Sequence, residues 1–204
     1  MKRILLTLSI LCSLAFAAPA QNIRTLFIEA PDSVFLLLPR NARADCVDFA
    51  DAGMVYPVTN LLNGKSVLKE LDDDYLLLQS TASSTVEMKL LPYGESFLIC
   101  VVKSVFAEAA DSRVSFFDSN WKRLDTAEFF TAPSISDFFT DKAGKANDKC
   151  DIYLVSLKAN AADNTFVAEY TMPSYMNSDD AAEVKPLLRK ITYVWDGNRL
   201  TCNM

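Results

Sequence analysis

The chain has 204 residues, of which 50% are hydrophobic and 23% charged, with 5 glycines, 5 cysteines and no histidine. The lack of histidine excludes a Ser-His-Asp triad, a Cys-His dyad and any imidazole metal ligand. The glycines are too widely spaced to form either common phosphate-binding loop, and no cofactor is expected. With a formal net charge of −6, the chain is a poor candidate for binding nucleic acid.

The N-terminus has the pattern of a cleavable signal peptide. Two basic residues precede an apolar run at 4–16 that is shorter than the roughly 20 residues needed to cross a bilayer. Ala18-Pro19-Ala20 fits the small-residue cleavage pattern, so residues 1–20 are predicted to be removed on export to the periplasm, cell surface or medium. Lipidation of Cys12 is the alternative, disfavoured because Leu11 stands where a small residue is expected. No later apolar stretch approaches roughly 20 residues, so no transmembrane segment is expected.

The first part of the mature chain predicts three helices. Two prolines frame a short helix at 31–39, and a third short helix is expected at 65–71. Between them, 40–52 has apolar residues at helical spacing, with Cys46 on the inward face and Gly53 as the C-terminal cap.

Short strands separated by turns follow these helices. In the first half they are predicted at 75–81, 85–91, 96–106, 113–117 and 121–124, with 96–106 as a central strand because it is apolar on both faces. A capping box at 134–137 opens a helical stretch. Strands then return at 152–159, 166–172, 189–195 and 200–202.

This order of elements predicts an α+β fold of two tandem units, residues 21–126 and 127–204. Each unit places short helices on a four-stranded antiparallel sheet, with five strands as the alternative for the first. The similarity of 113–124 to 191–200, two hairpins that each end a run of strands, favours a repeat. Two unrelated hairpins with common turn chemistry are the alternative.

Four cysteines remain after cleavage: Cys46, Cys100, Cys150 and Cys202. An even number in an oxidising compartment permits disulfides, and the two-unit organisation pairs the first two and the last two. Buried free thiols are an equally weighted alternative. The absence of a CxxC pair argues against zinc.

Several stretches resemble an uncharacterised family of secreted proteins of the Bacteroidales. They are PDSVFLLLPRNARADCVDFADAG, GKSVLKELDDDYLLLQSTASSTVEMKLLPYGESFLICVV and ADSRVSFFDSNW. The resemblance covers residues 27–125 well and the remainder loosely, and it implies export but no catalytic residues. The two predicted units are also similar in outline to the β-lactamase-inhibitor-protein fold, a likeness of fold that carries no function by itself.

Side chains that could form a site have commoner structural roles. Phe129 and Phe130, and Tyr170, Tyr175 and Met176, could form an exposed contact surface, although aromatic clusters more often pack between helix and sheet. The carboxylates at 72–74, and Asp45, Asp48 and Asp51, could hold a cation or act as acid and base, but are expected to be solvated.

Four basic residues could hold an anionic ligand: Arg40, Arg43, Lys89 and Arg113. Salt bridges to the abundant aspartates are the favoured interpretation for all four.

The sequence favours an exported, non-catalytic interaction module that binds a protein or glycan at the cell envelope. A hydrolase that uses an Asp/Glu pair needs no histidine and is the main alternative. An inhibitor of an envelope enzyme is a third hypothesis, which rests on the likeness of fold alone.

Overall fold

The computed structural model describes residues 22–140 and 148–202, so the predicted signal peptide lies outside the described residues. The helices are α1 Ile23–Glu29, α2 Arg40–Asp51, α3 Thr126–Phe129 and α4 Ser178–Val184. The first six strands are β1 Pro57–Thr59, β2 Lys65–Leu71, β3 Tyr75–Thr81, β4 Ser84–Tyr93, β5 Ser96–Phe106 and β6 Ala110–Phe117. The last four are β7 Val155–Ala159, β8 Thr165–Tyr170, β9 Ile191–Trp195 and β10 Leu200–Cys202. Single 3-10 turns lie at Ile135–Phe138, Met172–Ser174 and Lys185–Leu187. None of the helices in the described residues is long and apolar enough to cross a membrane.

The strands form two antiparallel meanders. β1 to β6 make a six-stranded sheet in chain order, and β7 to β10 make a four-stranded sheet. The predicted α+β class with antiparallel sheets is confirmed. The expected four or five strands of the first sheet are wrong, because β1 and β2 extend it to six.

The helix predicted at 65–71 is strand β2. Its pattern of apolar residues suits either structure, but Ser66 and Leu68 face inward at the spacing of a strand. Pairing with β1 on one side and β3 on the other decides the outcome, because each strand supplies hydrogen bonds that an isolated helical turn would have to make alone.

The helix predicted at 31–39 is two successive turns instead. Val34 N–H donates to the carbonyl of Pro31 at 2.9 Å, and Leu38 N–H to that of Phe35 at 3.0 Å. The carbonyl of Leu38 accepts from the buried guanidinium of Arg43 at 2.6 Å. This contact with α2 holds the turns in place.

The strand predicted at 121–124 is also absent, since only a single bridge joins Phe117 to Arg123. The Asp118 carboxylate accepts from the backbone N–H groups of Asn120 and Lys122, at 2.8 and 2.9 Å, and draws the chain into a tight turn. The similarity between 113–124 and 191–200 therefore does not extend to a second strand in the first copy.

Three helices fall outside the sequence predictions: α1, α3 and α4. Each begins at a side-chain cap: Asn22 accepts from Thr25 N–H, Asp125 from Ala127 N–H, and Asn177 from Asp179 and Asp180 N–H. The predicted helix at 40–52 is confirmed as α2, and Gly53 caps it at φ +72°. The predicted central strand is confirmed as β5, which runs between β4 and β6.

The molecule has three layers, with the six-stranded sheet in the middle. The turns at 31–39 and helices α1 and α2 cover one face, where Ile99 and Val101 of β5 join their core. The four-stranded sheet covers the opposite face, where Cys100 and Val102 join a second core. The outer side of the four-stranded sheet is exposed at Thr192 and Val194, so its own helices do not cover it as the two-unit prediction expected.

Side chains of the six-stranded sheet satisfy the free edge of β7. Ala159 N–H donates to the Glu87 carboxylate at 2.8 Å, and Leu157 N–H donates to Ser112 Oγ at 2.9 Å. Lys89 Nζ donates to the carbonyl of Ala161 at 3.1 Å. The edge that would otherwise be open to another strand is therefore closed by the first sheet.

Candidate binding site at the edge of the six-stranded sheet

The predicted aromatic surface is divided between core and exterior. Phe129 and Tyr170 are buried in the core between the sheets. Met176 packs partly against the same core, whereas Tyr175 is 49% exposed. Phe130 is half-buried and lines a groove described below. The structure therefore does not bring these five residues together as one exposed surface.

The acidic residues are solvated or paired, as expected. Asp45 and Asp48 are exposed on α2, and Asp51 forms an exposed salt bridge with Arg24 at 2.9 Å. Asp74 pairs with Lys89 at 3.0 Å. Across the described ranges, no group of three Cys, Asp or Glu side chains is arranged to hold a metal ion.

The four cysteines are free thiols, and their positions explain why. Cys46 lies on the helix-covered face of the six-stranded sheet and Cys100 on the opposite face, so the sheet itself separates them. Burial raises the pKa of Cys46 to about 11 and also raises that of Cys100. Both therefore stay protonated and pack as small apolar groups.

The second predicted bridge is also absent. Cys202 is on β10, two strands away from β8, which is roughly 10 Å at the usual strand spacing. The Cys150 thiol lies instead beside the hydroxyl of Tyr170, at the end of β8. A disulfide needs Cα atoms within roughly 7 Å.

Three of the four candidate basic residues form the expected salt bridges. Arg40 pairs with Glu29, Arg43 with Asp32 at 2.9 Å and Lys89 with Asp74. For Arg113 the prediction is wrong, because no carboxylate of the described residues pairs with it.

Arg113 belongs to a group of three basic side chains, which we call the cationic cluster: Lys103, Arg113 and Arg123. Lys103 lies directly opposite Arg113 in the β5–β6 pairing. Burial, together with the positive charge of Arg123, lowers the pKa of Lys103. Within the described part of the chain none of the three has a salt-bridge partner. Like charges in such proximity destabilise one another, which is notable in a protein of net charge −6.

Two cavities meet at this cluster and share Arg113, Ser115 and Arg123. The first, which we call the cationic pocket, has a volume of about 400 Å³ and includes Lys103 and Trp121. The second, which we call the edge groove, has a volume of about 430 Å³ and runs between β6 and β7.

Trp121 lines the cationic pocket, and its indole is held by packing. Its indole Nε1 is buried without an acceptor, the one such side-chain atom found in the described residues. Phe117 and Phe35 hold the ring, at centroid distances of 5.3 and 6.5 Å, and the backbone at Trp121 has φ +62°. A buried donor without an acceptor is costly, so packing against these rings, and not a hydrogen bond, fixes the indole.

The edge groove has a largely apolar lining with basic residues at its rim. Phe130, Tyr153 and Val155 contribute apolar surface, and Tyr153 is 45% exposed. Arg113 and Arg123 contribute the positive charge. Sequence reasoning identified Phe130 and Arg113 separately, but Lys103, Arg123 and Trp121 gave no signal. The β5–β6 register places Lys103 beside Arg113, and the turn at 118–122 brings Trp121 and Arg123 to the same edge.

Other grooves offer less chemistry. One is apolar and lies between the turns at 34–38 and the ends of β3 to β5. A second adjoins the β1–β2 turn, and a third contains Tyr193, Arg199 and Cys202. The only carboxylate that lines any of these five described cavities belongs to Asp137.

The fold defines an α+β protein of two stacked antiparallel sheets with an edge groove and no paired carboxylates in its described cavities. The chain belongs to the family described as "Protein of unknown function (DUF3256)", which it matches over residues 15–200. No functionally curated protein matches it. It is similar in structure to a domain of an uncharacterized protein from Porphyromonas gingivalis W83, with a TM-score of 0.76 and 23% identity over 87% of this chain and 96% of that chain. That similarity concerns the fold alone, and the source organism agrees with the expected likeness to Bacteroidales proteins.

Proposed function

We propose that this protein is an exported, non-catalytic interaction module that binds an anionic partner, a protein or a glycan of the cell envelope. The binding site is the cationic cluster with the two cavities that meet there. One observation carries the proposal: Lys103, Arg113 and Arg123 lie together, and none of them pairs with a carboxylate of the described residues. Neither cavity at the cluster is lined by a carboxylate. An anion at this position would relieve the repulsion among the three cations.

Two features support binding rather than catalysis. The described cavities contain a single carboxylate, Asp137, whereas hydrolysis by an Asp/Glu pair needs two carboxyl groups roughly 5 to 9.5 Å apart. The edge groove also combines aromatic and guanidinium groups, which are enriched where proteins recognise partners. Inhibition of an envelope enzyme is one form this binding could take. That form of the proposal rests on a tandem-unit organisation similar in outline to the β-lactamase-inhibitor-protein fold.

The test uses the mature chain, residues 21–204, with two polyanionic probes: poly-L-glutamate for a protein partner and polygalacturonate for a glycan. Binding is measured by calorimetry at about 0.15 M salt, where weak surface attraction is largely screened. We expect at least one probe to bind, and the double variant Arg113→Glu/Arg123→Glu to bind it at least about tenfold more weakly.

The matched control is Lys69→Glu/Lys185→Glu, which changes the net charge equally at two exposed positions outside both cavities. We expect this control to stay within about threefold of wild type. An equal loss in both double variants would show general charge attraction and contradict the proposed site. Failure of both probes to bind the wild-type chain would also contradict it.

A further inference from the structure

The edge strand β6 is partly uncovered, and the uncovered part forms one wall of the edge groove. The carbonyls of Phe116 and Ala110 point away from β5 and accept from Leu124 N–H at 2.9 Å and from Thr171 Oγ1. Next to the Ala110 contact, the side chains of Asp111 and Ser112 accept from Val155 and Leu157 N–H of β7, at 3.5 and 2.9 Å. The stretch without such contacts is residues 113–115, roughly 10 Å at the usual rise of a strand.

Val114 lies in the middle of this stretch and directs its backbone outward. Residues of a strand alternate, so Val114 N–H and C=O point the same way as the backbone of Phe116, away from β5. No group in the described ranges makes a hydrogen bond to the outward N–H or C=O of Val114. Unlike β7, whose edge is closed by Glu87 and Ser112, β6 thus keeps an open donor and acceptor.

The groove beside this edge can receive alternate side chains of an added strand. Its far wall has Val155 and Leu157 of β7, and Phe130 and Pro133 of the segment after α3 lie along it. A paired strand would turn every second side chain to this apolar wall. The basic groups of Arg113 and Arg123 lie at the rim, within reach of carboxylates on the same strand.

From these features we propose that the anionic partner is a protein, and that it contributes a short, extended acidic segment which pairs with β6 at Val114. This inference rests on the proposed function and specifies its ligand. A glycan would satisfy the basic residues equally well, but it has no regular backbone N–H and C=O to match those of Val114. Strand addition of this kind takes its affinity from main-chain hydrogen bonds and its specificity from the flanking pockets.

The probe is the acetylated, amidated peptide Asp-Val-Asp-Val-Asp, with Lys-Val-Lys-Val-Lys as the charge-reversed control. We expect the acidic peptide to bind and the basic one not to bind. Val114→Pro removes the outward N–H without touching the β5 pairing, a change that edge strands tolerate. We expect this variant to weaken the acidic peptide by about tenfold, and Val114→Ala, which keeps the N–H, to remain near wild type.

Modified peptides also test whether the ligand pairs with β6 through its backbone, and they leave the protein unchanged. N-methylation of the valines and N-methylation of the aspartates block opposite edges of the same strand. We expect only one of the two series to lose binding, by about tenfold or more. This readout also decides the matter if Val114→Pro fails to fold.

Each result has a distinct meaning. Unchanged binding in folded Val114→Pro, or equal effects of both N-methylated series, would overturn strand addition. Binding of polygalacturonate without binding of the acidic peptide would also overturn it, while leaving the proposed anion-binding function intact. If neither the peptide nor either polyanion binds, both proposals are wrong.

Discussion

Lys89 and Glu87 are buried charged residues that lie two positions apart on β4, and they have different partners. Lys89 is 1% exposed, and its ammonium group is held by Asp74 at 3.0 Å and by the carbonyl of Ala161 at 3.1 Å. Glu87 is 5% exposed and has no cation in contact; it accepts from Ala159 N–H at 2.8 Å and from the Tyr75 hydroxyl at 3.4 Å. A buried charge without a counter-ion is costly, so the ionised form of Glu87 destabilises the fold more than the paired Lys89 does.

Ionisation of Glu87 should therefore make the protein less stable as the pH rises. Burial raises the pKa of Glu87 from 4.5 to about 7. Between these values the native carboxyl keeps a proton that the unfolded chain has lost, so the free energy of unfolding falls as pH rises, by about 3 kcal/mol in all. Glu87→Gln stays neutral and can still accept from Ala159 N–H, so we expect it to abolish this decline.

The measurement is urea unfolding of wild type and Glu87→Gln at steps from about pH 5 to about pH 8. Carboxyls whose pKa is lowered, such as Asp163, Asp180 and Asp196, titrate below this window and do not obscure it. An equal pH dependence in both proteins would show that Glu87 is not responsible.

At the scale of elements, the turn between β1 and β2 shows why residues 65–71 form a strand. Asn60 is 5% exposed; its side-chain oxygen accepts from Leu62 and Gly64 N–H at 3.1 and 3.0 Å. Its amide donates to Ser66 Oγ at 3.1 Å and to the carbonyl of Ser80 at 3.2 Å. One side chain thus closes the turn and fastens it to the end of β3.

Replacing this asparagine should destabilise the whole sheet edge. Asn60→Ala leaves several buried donors and acceptors without partners, and we expect a loss of about 3 kcal/mol in the free energy of unfolding. Asn120→Ala, at an exposed turn where only the backbone N–H is used, should change it by less than about 0.5 kcal/mol. Equal, small effects of the two changes, measured by urea unfolding, would contradict the structural role of Asn60.

At the scale of the whole molecule, the two sheets share one core. Leu91, Leu98 and Phe116 of the first sheet join Phe166 and Tyr193 of the second in a single apolar cluster. The Trp195 indole also donates to the carbonyl of Pro92 at 2.7 Å. If either sheet unfolded or separated from the other, this apolar surface would be exposed to water.

We therefore expect the two sheets to unfold together. The chain has 2 tryptophans: Trp121 lies beside the helix-covered core and Trp195 in the core between the sheets. In Trp121→Phe and Trp195→Phe, the fluorescence of the remaining tryptophan reports one region at a time. Within each variant, the urea midpoint by fluorescence should coincide with that by far-ultraviolet circular dichroism. Separate midpoints would indicate sheets that unfold independently.

The sequence alone determined the features that depend on neighbours along the chain. Helix α2 with its glycine cap, the strands β4 and β5, the apolar character of β5 and the capping box at 134–137 all follow from local spacing and turn chemistry. The structure contains each of them. The antiparallel α+β class follows from the same signals. The histidine-free composition was sufficient to exclude whole classes of catalysis.

Only the tertiary structure decided the features that depend on distant partners. Residues 65–71 became a strand because β1 and β3 flank them, and residues 31–39 became turns because Arg43 takes the carbonyl of Leu38. Cys46 of α2 packs on the face of the sheet that includes Ile99 and Val101. Cys100 lies between these two residues on β5 and therefore faces the opposite side, away from Cys46. The cationic cluster has the same origin: Lys103, Arg113 and Arg123 meet through strand register and one tight turn, contacts that no local pattern of residues specifies.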